Sequence, residues 1–389
     1  MTVVAAHPET SASGPTGAGL LPSEDPWQLI DPAGRPTEST GNGHDRDGDI
    51  GPLPPSSTLA ELYRRMVIGR RFDAQATALT KQGRLAVYPS SHGQDACQVG
   101  AALALREQDW LFPTYRDSMA ILTRGVDPVE VLSLLRGQWH CGYDPHQHRV
   151  APQCTPLATN TLHAVGLAHA AQLKGEDTVA LVLLGDGATS EGDTHEALNF
   201  AAVWKAPVVF LLQNNGYAIS VPLAKQTAAP SLAHKGIGYG IPGELIDGND
   251  AAAVYTTVRA AIDRAARGAG PTLIEALTYR MEAHTNADDA TRYRDGDEVT
   301  AWLARDPITR LEAYLRATGE LDDASAGRLQ AEADQFAAAL REQMFADVPV
   351  DPADLFAHVY AEPTAALIEQ RASLFGELRD AEDATGETP

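Results

Sequence analysis

Short apolar segments alternate with stretches of helical periodicity through the middle of the chain. The apolar runs are TVALVLL at 178–184, PVVFLLQ at 207–213, GELID at 243–247 and TLIEALT at 272–278, and helices are expected near 94–107, 160–173, 194–205 and 250–267. Runs that are apolar on both faces and are separated by helices are typical of a buried parallel sheet. The pattern therefore predicts an α/β fold, with a parallel sheet covered by helices on both faces.

The two ends of the chain differ from this alternating centre. Residues 1–57 hold 9 of the 25 prolines and 8 of the 33 glycines without a periodic apolar face, so we expect a disordered or extended tail. Helical spacing of apolar residues begins at Leu59 and predicts a long first helix. We expect the α/β domain to cover 58–305. Residues 306–389, rich in Ala, Glu, Asp and Leu, are expected to form a helical C-terminal extension with a flexible end.

Composition narrows the classes of partner and of compartment. The 389 residues carry 30 Lys and Arg against 52 Asp and Glu, a net charge of −22, which disfavours nucleic acid and anionic membranes as partners. The sequence contains no run of about 18 apolar residues, so no membrane-spanning helix is expected. The three cysteines, Cys97, Cys141 and Cys154, lack CxxC spacing and indicate a reducing compartment. We therefore expect a cytoplasmic protein.

Candidate chemistry follows two neighbouring apolar runs. Asp186 comes directly after the first and Asn215 after the second, and both positions fall at the carboxyl ends of parallel strands, where α/β proteins bind ligands. A carboxylate, an amide oxygen and a backbone carbonyl together suit Mg²⁺, usually completed by water and phosphate oxygens. Gly187 and Gly192 allow backbone amides to approach a phosphate at a helix N-terminus. Taken alone, the GDG sequence is more typical of an ordinary strand-to-helix turn.

The combination of GDG, a helix, a second apolar strand and NN is the signature of thiamine diphosphate binding. Over about 58–380 the chain resembles the α subunit of the thiamine diphosphate-dependent, decarboxylating first component of 2-oxoacid dehydrogenase complexes. The segments GDGATSEGD, NFAA and QNNGYAIS are closest to the members that act on branched-chain 2-oxoacids. The resemblance implies the thiamine diphosphate-binding α/β fold and assigns the magnesium ligands to Asp186, Asn215 and the carbonyl of Tyr217.

Further motifs carry the rest of the implied site. Gly93-Gln94-Asp95-Ala96 resembles the family's GQEA, and TYRMEAHTNADDATRYR at 278–294 resembles its mobile loop near the active-site entrance. By resemblance, the cofactor contacts are Tyr115, Arg116, Thr155, Leu157, Gly187, Ala188, Gln213 and His284. His284 is also the implied catalytic residue, which assists acyl transfer to the lipoyl group. Outside the family, Tyr115 and Arg116 would be interpreted as a surface pair and His284 as a solvated loop histidine.

The resemblance implies an oxidoreductase with thiamine diphosphate and Mg²⁺ as cofactors. A β subunit would supply the cofactor-activating glutamate, giving an α2β2 heterotetramer, and a lipoylated transacylase component would accept the acyl group. Branched-chain 2-oxoacids are favoured over pyruvate as the small substrate. An acetoin dehydrogenase α subunit, a magnesium-dependent phosphatase or phosphotransferase and a non-catalytic scaffold subunit remain as alternatives. The segment from Trp139 to His148 contains zinc-type ligands, but their spacing matches no tetrahedral site.

Overall fold

A computed structural model describes residues 17–37, 52–137, 141–346, 351–357 and 359–385. In chain order the strands are β1 (Trp110–Phe112), β2 (Ala180–Gly185), β3 (Val208–Asn214), β4 (Tyr217–Ala218), β5 (Val221–Pro222), β6 (Gly243–Asp247) and β7 (Thr272–Leu277). Five of them form one parallel sheet in the order β1-β2-β3-β7-β6, and β4 and β5 form a small antiparallel hairpin. The predicted parallel sheet is confirmed.

The described residues also form thirteen α-helices. In order they are α1 (Ser56–Lys81), α2 (Asp95–Ala104), α3 (Ser118–Thr123), α4 (Pro128–Arg136), α5 (Pro145–His148), α6 (Thr159–Lys174), α7 (Gly192–Trp204), α8 (Ala251–Ala266), α9 (Gly296–Leu303), α10 (Pro307–Ala317), α11 (Asp323–Phe345), α12 (Asp354–Ala357) and α13 (Ala365–Thr385). None of these described helices is long and apolar enough to span a membrane.

Helices on both faces bury the two central strands. Side chains alternate across a strand, and one face of β2 and β3 packs against α6 and α7 in a single apolar cluster. The opposite face carries Leu181, Leu183 and Leu211, which are also fully buried, and α8 packs against β3 and β7. This double coverage explains why these strands are apolar at every position. It also leaves their carboxyl ends as the place where polar groups emerge.

Part of the N-terminal region packs on the edge of the sheet. Trp27 pairs with Ile246 as a parallel bridge beside β6. Asp250 fixes the residues that follow, because its carboxylate accepts hydrogen bonds from the amides of Leu29 and Ile30 at 2.6 and 2.8 Å. The other oxygen of Asp250 caps the N-terminus of α8. One buried carboxylate therefore holds both the N-terminal segment and the start of a core helix.

The prediction of a disordered or extended tail over 1–57 is therefore wrong for residues 17–37. The sequence did not reveal this packing because the segment has no periodicity of its own; its order comes from partners more than 200 residues away in the chain. The folded part resumes with α1 at Ser56. Residues 1–16 and 38–51 of the expected tail lie outside the described residues.

The boundary that was predicted at 305–306, between the α/β domain and the C-terminal extension, also differs from the structure. The chain divides into two compact units between Gln343 and Met344. Arg310 of α10 is 2% exposed and donates hydrogen bonds to the carbonyl of Ile30 and to the carboxylate of Asp247, each at 2.8 Å. Apolar residues of α10 share a cluster with α1. The start of the expected extension is therefore core structure, whereas the second unit contains α12 and α13.

Removing residues 1–37 is expected to lower the thermal midpoint by several degrees. The deletion removes the buried side chains of Leu29 and Ile30 and exposes the surface on which they pack. Burying such side chains stabilises a fold by about 1.5–3 kcal/mol each. The deletion also removes the Leu29 and Ile30 amides that donate to Asp250 and the Ile30 carbonyl that accepts from Arg310, so both buried side chains lose part of their hydrogen bonding. Removing residues 1–16 is the matched control, because it retains the packed segment. Equal midpoints for the two truncated chains would contradict the packing, and differential scanning calorimetry measures both.

Candidate active site

Two loops at the carboxyl ends of β2 and β3 meet at one cavity. These strands run in register, with Gly185 opposite Gln213, so the residues that follow them lie side by side at the same edge. The cavity has a volume of about 200 Å³. Its lining includes nearly all of the sequence-predicted site residues: Tyr115, Arg116, Leu157, Asp186, Gly187, Ala188, Gln213, Asn215, Tyr217 and His284. The fold therefore brings together residues that are up to 169 positions apart in the chain.

The oxygen groups at this edge suit a hard divalent cation. Asp186 is 1% exposed, and its carboxylate accepts a hydrogen bond from Gln226 at 2.5 Å. Burial raises the pKa of the Asp186 carboxyl, so a cation beside it would favour the ionised form. The Asn215 amide and Tyr217 line the same cavity. Among the described residues, no group of three His, Cys, Asp or Glu side chains could hold a metal, so a cation here would also use amide and backbone oxygens.

The GDG turn gives the backbone close access to the cavity. A Cβ atom on Gly187 would lie 2.7 Å from the Cβ of Ala218 in β4, so only glycine fits between the two chain segments. Asp186–Ser190 forms a 3-10 turn, and the 13-residue helix α7 begins at Gly192 immediately afterwards. Its N-terminal amides carry partial positive charge at the same edge. This arrangement suits a phosphate group.

Arg116 is a buried cation held in a fixed orientation. Its guanidinium donates to the Ser90 carbonyl at 2.9 Å and to the His284 carbonyl at 2.9 Å. The side chain of Arg116 is only 5% exposed although it lines the cavity. Asp73 supports this position indirectly, because it accepts hydrogen bonds from the Ser90 hydroxyl and the Ser91 amide. A guanidinium fixed in this way presents its positive charge to an anion in the cavity at a defined position.

His284 lines the same cavity and is electrically neutral near pH 7. Arg116 donates to its Nδ1 at 3.0 Å, so the ring proton belongs on Nε2. Burial and the nearby Arg116 and Arg280 guanidinium groups lower the pKa of His284 to about 4. The Asp288 carboxylate accepts from the His284 amide at 2.8 Å and anchors the loop. His284 therefore offers a neutral hydrogen-bond donor rather than an imidazolium.

Sequence reasoning did not assign a role to Arg280. This residue is 1% exposed, lines the cavity and donates to the Ile219 carbonyl at 2.7 Å and the Tyr293 hydroxyl at 3.0 Å. Its buried Nε has no hydrogen-bond partner. Together with Arg116 it gives the cavity two buried guanidinium groups against the one buried carboxylate of Asp186. The cavity therefore favours an anion together with a cation.

A comparison with known sequences decides the family. The family described as dehydrogenase E1 component matches residues 63–345, well over half of the chain. The chain belongs to the dehydrogenase E1 component family. This confirms the resemblance inferred from the motifs, and the chain is an oxidoreductase subunit of the 2-oxoacid dehydrogenase type. The E1 family is thiamine diphosphate-dependent.

Two relatives illustrate the range of this E1 family. The chain is 47% identical over 363 residues to the 3-methyl-2-oxobutanoate dehydrogenase subunit alpha of Mycobacterium tuberculosis (strain CDC 1551 / Oshkosh). The aligned region covers 93% of this chain and 97% of the relative. It is 42% identical over 280 residues to the pyruvate dehydrogenase E1 component subunit alpha of Staphylococcus aureus (strain Mu50 / ATCC 700699), covering 72% of this chain and 75% of that one.

Two of the predicted cofactor contacts in this E1 chain, Thr155 and Gln213, are placed differently from the other predicted site residues. Thr155 is exposed in the loop before Leu157 and is not among the cavity-lining residues. Gln213 lines the cavity, but neighbouring side chains already engage both ends of its amide. In the segment with zinc-type ligands, residues 138–140 lie outside the described residues, and His146 and His148 lie in the short helix α5.

Proposed function

We propose that this chain is the α subunit of a branched-chain 2-oxoacid dehydrogenase and holds the diphosphate and Mg²⁺ of thiamine diphosphate. The observation that carries the proposal is the convergence of Asp186, Asn215, Arg116, Arg280 and His284 on one cavity at the carboxyl edge of the sheet. A magnesium-dependent phosphatase does not require this set, and a scaffold subunit would have no reason to retain it. The proposal therefore adds a substrate class and a set of cofactor-binding residues to the family assignment.

Each group has a stated task in the proposed site. Asp186, the Asn215 amide oxygen and the Tyr217 carbonyl would hold Mg²⁺, and Arg116 with the backbone at Gly187 would hold the diphosphate. When bound, thiamine diphosphate supplies the carbanion-stabilising chemistry that decarboxylates a 2-oxoacid. The protein's own contribution is to orient the anion, to neutralise its charge and to exclude water from it.

His284 is proposed to act at the entrance, in acyl transfer to the lipoyl group. Its Nε2–H is a donor directed away from Arg116, and the loop that carries it is fixed by Asp288. Tyr115 packs edge-on against the His284 ring, with 6.2 Å between ring centres. Two neighbours therefore fix the imidazole, so its proton is available at one defined atom.

A β subunit is proposed to complete the site. The cavity of about 200 Å³ is smaller than the roughly 300–1,000 Å³ of typical ligand pockets. Large apolar side chains near its mouth remain exposed: Leu157 at 40%, Ile219 at 54% and Val221 at 42%. Ile219 also has a φ of 56°, which is strained for a β-branched residue. Exposed apolar groups around a half-enclosed cavity support closure by a second protein surface.

The proposed assembly is an α2β2 heterotetramer that transfers the acyl group to a lipoylated transacylase component. A second exposed apolar face supports further subunit contact. On α7, Trp204 stacks on His169 of α6 with 4.2 Å between ring centres and contacts Phe200 at 4.7 Å, while Val203 is 70% exposed. A face of this kind is typical of subunit contacts. The cytoplasmic location expected from the sequence stays a prediction.

For the substrate, we propose 3-methyl-2-oxobutanoate or a related branched-chain 2-oxoacid. The relative named for 3-methyl-2-oxobutanoate aligns over 97% of its length, whereas the relative named for pyruvate aligns over 75%. Pyruvate is the second candidate, because a relative that is 42% identical over 280 residues is named for it and the residues proposed to hold the cofactor would serve either substrate. An acetoin dehydrogenase α subunit would share these residues as well.

The proposal is tested by decarboxylation assays on the chain co-expressed with its β subunit. With Mg²⁺ and thiamine diphosphate present, kcat/KM is expected to be about tenfold or more higher for 3-methyl-2-oxobutanoate than for pyruvate, in line with what extra methyl groups contribute in an apolar pocket. The isolated chain is expected to bind cofactor poorly and to turn over neither substrate. A pyruvate preference would overturn the substrate, and robust turnover by the isolated chain would overturn the two-subunit site.

A further inference from the structure

A continuous chain of buried side chains connects the proposed cation site to Asp117. The Asn215 amide donates from Nδ2 to Gln94 Oε1 at 3.0 Å, and Gln94 donates from Nε2 to Gln213 Oε1 at 2.9 Å. Gln213 then donates from Nε2 to Asp117 Oδ1 at 2.7 Å. All four side chains are at most 6% exposed. We call this series of three amides and one carboxylate the amide relay.

The direction of the amide relay is set by its carboxylate end. An amide has a donor end and an acceptor end and can face either way, but an ionised carboxylate only accepts. The second oxygen of Asp117 accepts from both the amide and the hydroxyl of Thr114, each at 2.7 Å, which fixes the carboxylate itself. Gln213 must therefore present Nε2 to Asp117, and each later amide is oriented by the one before it.

The far end of the relay is the Asn215 amide at the cavity. Because Gln94 accepts from Nδ2, the oxygen Oδ1 is the end of the Asn215 amide that faces away from Gln94; it accepts from the Tyr217 amide at 3.3 Å and keeps a second lone pair for a cation. The reverse orientation would turn an NH₂ group toward that cation and repel it. Gln213 occupies the middle of the relay, where its two ends contact Gln94 and Asp117. This gives Gln213 a role other than the direct cofactor contact expected from the sequence.

We propose that Asp117 is a positioning residue that acts through Gln213 and Gln94 to keep the Asn215 oxygen facing the cation. The inference rests on the proposed magnesium site. Asp117 itself does not line the cavity, so its effect on the cation passes through the amides. Residues that orient metal ligands in this way typically change metal affinity by about 10–100-fold when altered.

The decisive variant is Asp117→Asn, which keeps the size of the side chain. The carbonyl oxygen of the new asparagine can take the place of the Asp117 oxygen that accepts from Thr114. The NH₂ group of the asparagine then faces Gln213, which favours the reversed orientation of every amide in the relay. We expect the α–β pair carrying this variant to bind Mn²⁺ about tenfold or more weakly in the presence of thiamine diphosphate. Electron paramagnetic resonance of free Mn²⁺ measures this affinity without requiring turnover.

The control is the same substitution in an Asn215→Asp background. An aspartate at 215 presents an oxygen to the cation in either orientation, and its carboxylate can accept from Gln94 when the relay is reversed, so Asp117→Asn is expected not to weaken Mn²⁺ binding there. An equal loss in both backgrounds would show a general structural effect and would overturn the proposal. Unchanged affinity of the single Asp117→Asn variant would overturn it as well.

Two further measurements keep the test decisive. If Asp117→Asn does not fold, Gln213→Met interrupts the relay at nearly constant volume and is expected to weaken Mn²⁺ binding several-fold; unchanged affinity would overturn the proposal. Asp186→Ala tests the proposed function separately. If it abolishes Mn²⁺ binding while the relay variants do not change it, the relay is wrong and the magnesium site stands. If Asp186→Ala leaves binding intact, the proposed cation site itself is wrong, and the relay inference with it.

Discussion

Asp186→Ala is expected to abolish magnesium-dependent binding of thiamine diphosphate while the fold stays intact. The substitution removes the one buried carboxylate of the proposed cation site, so cofactor affinity should fall by about 100-fold or more. Burial raises the pKa of this carboxyl, which means that folding disfavours its ionised form at neutral pH. Without ligands, the variant should therefore unfold at the same temperature as the parent or slightly above it.

Calorimetric titration of the α–β pair measures the loss of affinity, and thermal unfolding with and without Mg²⁺ and cofactor measures the loss of ligand stabilisation. Asp263→Ala is the matched control, because Asp263 forms a half-exposed ion pair with Arg259 on α8. It should bind the cofactor like the parent. Full affinity in the Asp186→Ala protein would contradict the proposed cation site.

His284→Ala is expected to separate the two half-reactions. The complete reaction with the lipoylated component should fall by about 100-fold or more, a typical contribution of a group that donates or accepts a proton. Decarboxylation with an artificial electron acceptor bypasses the lipoyl group and should fall much less. Parallel losses in the two assays would show that His284 binds the cofactor or orders the loop instead of assisting acyl transfer.

The pH dependence provides a second measurement on the same residue. Since the pKa of His284 is lowered to about 4, its ring is neutral throughout the usual assay range. The native state takes up this proton only below the pH at which an unfolded histidine does, so stability falls as pH drops from about 6.5 toward 4. Between about pH 5.5 and 8, the parent's acyl-transfer rate should not titrate with His284, because the folded protein keeps this ring neutral there. His163, which is exposed on α6, is the control histidine for alanine substitution and for nuclear magnetic resonance titration.

The parts of the fold that follow from local pattern could be predicted from the sequence. The run PVVFLLQ, expected at 207–213, forms β3 at Val208–Asn214, because a strand that is buried on both faces is apolar at nearly every position. The site could be located because Asp186 and Asn215 follow adjacent strands of one parallel sheet. These inferences need only the period of a strand and the geometry of a sheet edge.

Long-range pairings of buried polar groups could not be predicted in the same way. The segment around Ile30 contacts Asp250 and Arg310, which both lie more than 200 residues later in the chain, and no local pattern marks these contacts. Arg280 lay within a recognised motif, yet only its burial beside Arg116 showed that it lines the cavity. Gln213 is similar, because its partners Gln94 and Asp117 lie on other elements.

The strand order has a consequence for how the polypeptide is made. β7 lies between β3 and β6 in the sheet, although it is the last of the five strands to leave the ribosome. Until β7 emerges, β3 has one unpaired edge and β6 lacks its neighbour in the sheet. Trp27 is synthesised much earlier but cannot pair until Ile246 of β6 has been made. Unpaired apolar strands of this kind invite aggregation during synthesis. We therefore expect the nascent chain to be most prone to aggregation before β7, which ends at Leu277, has left the ribosome.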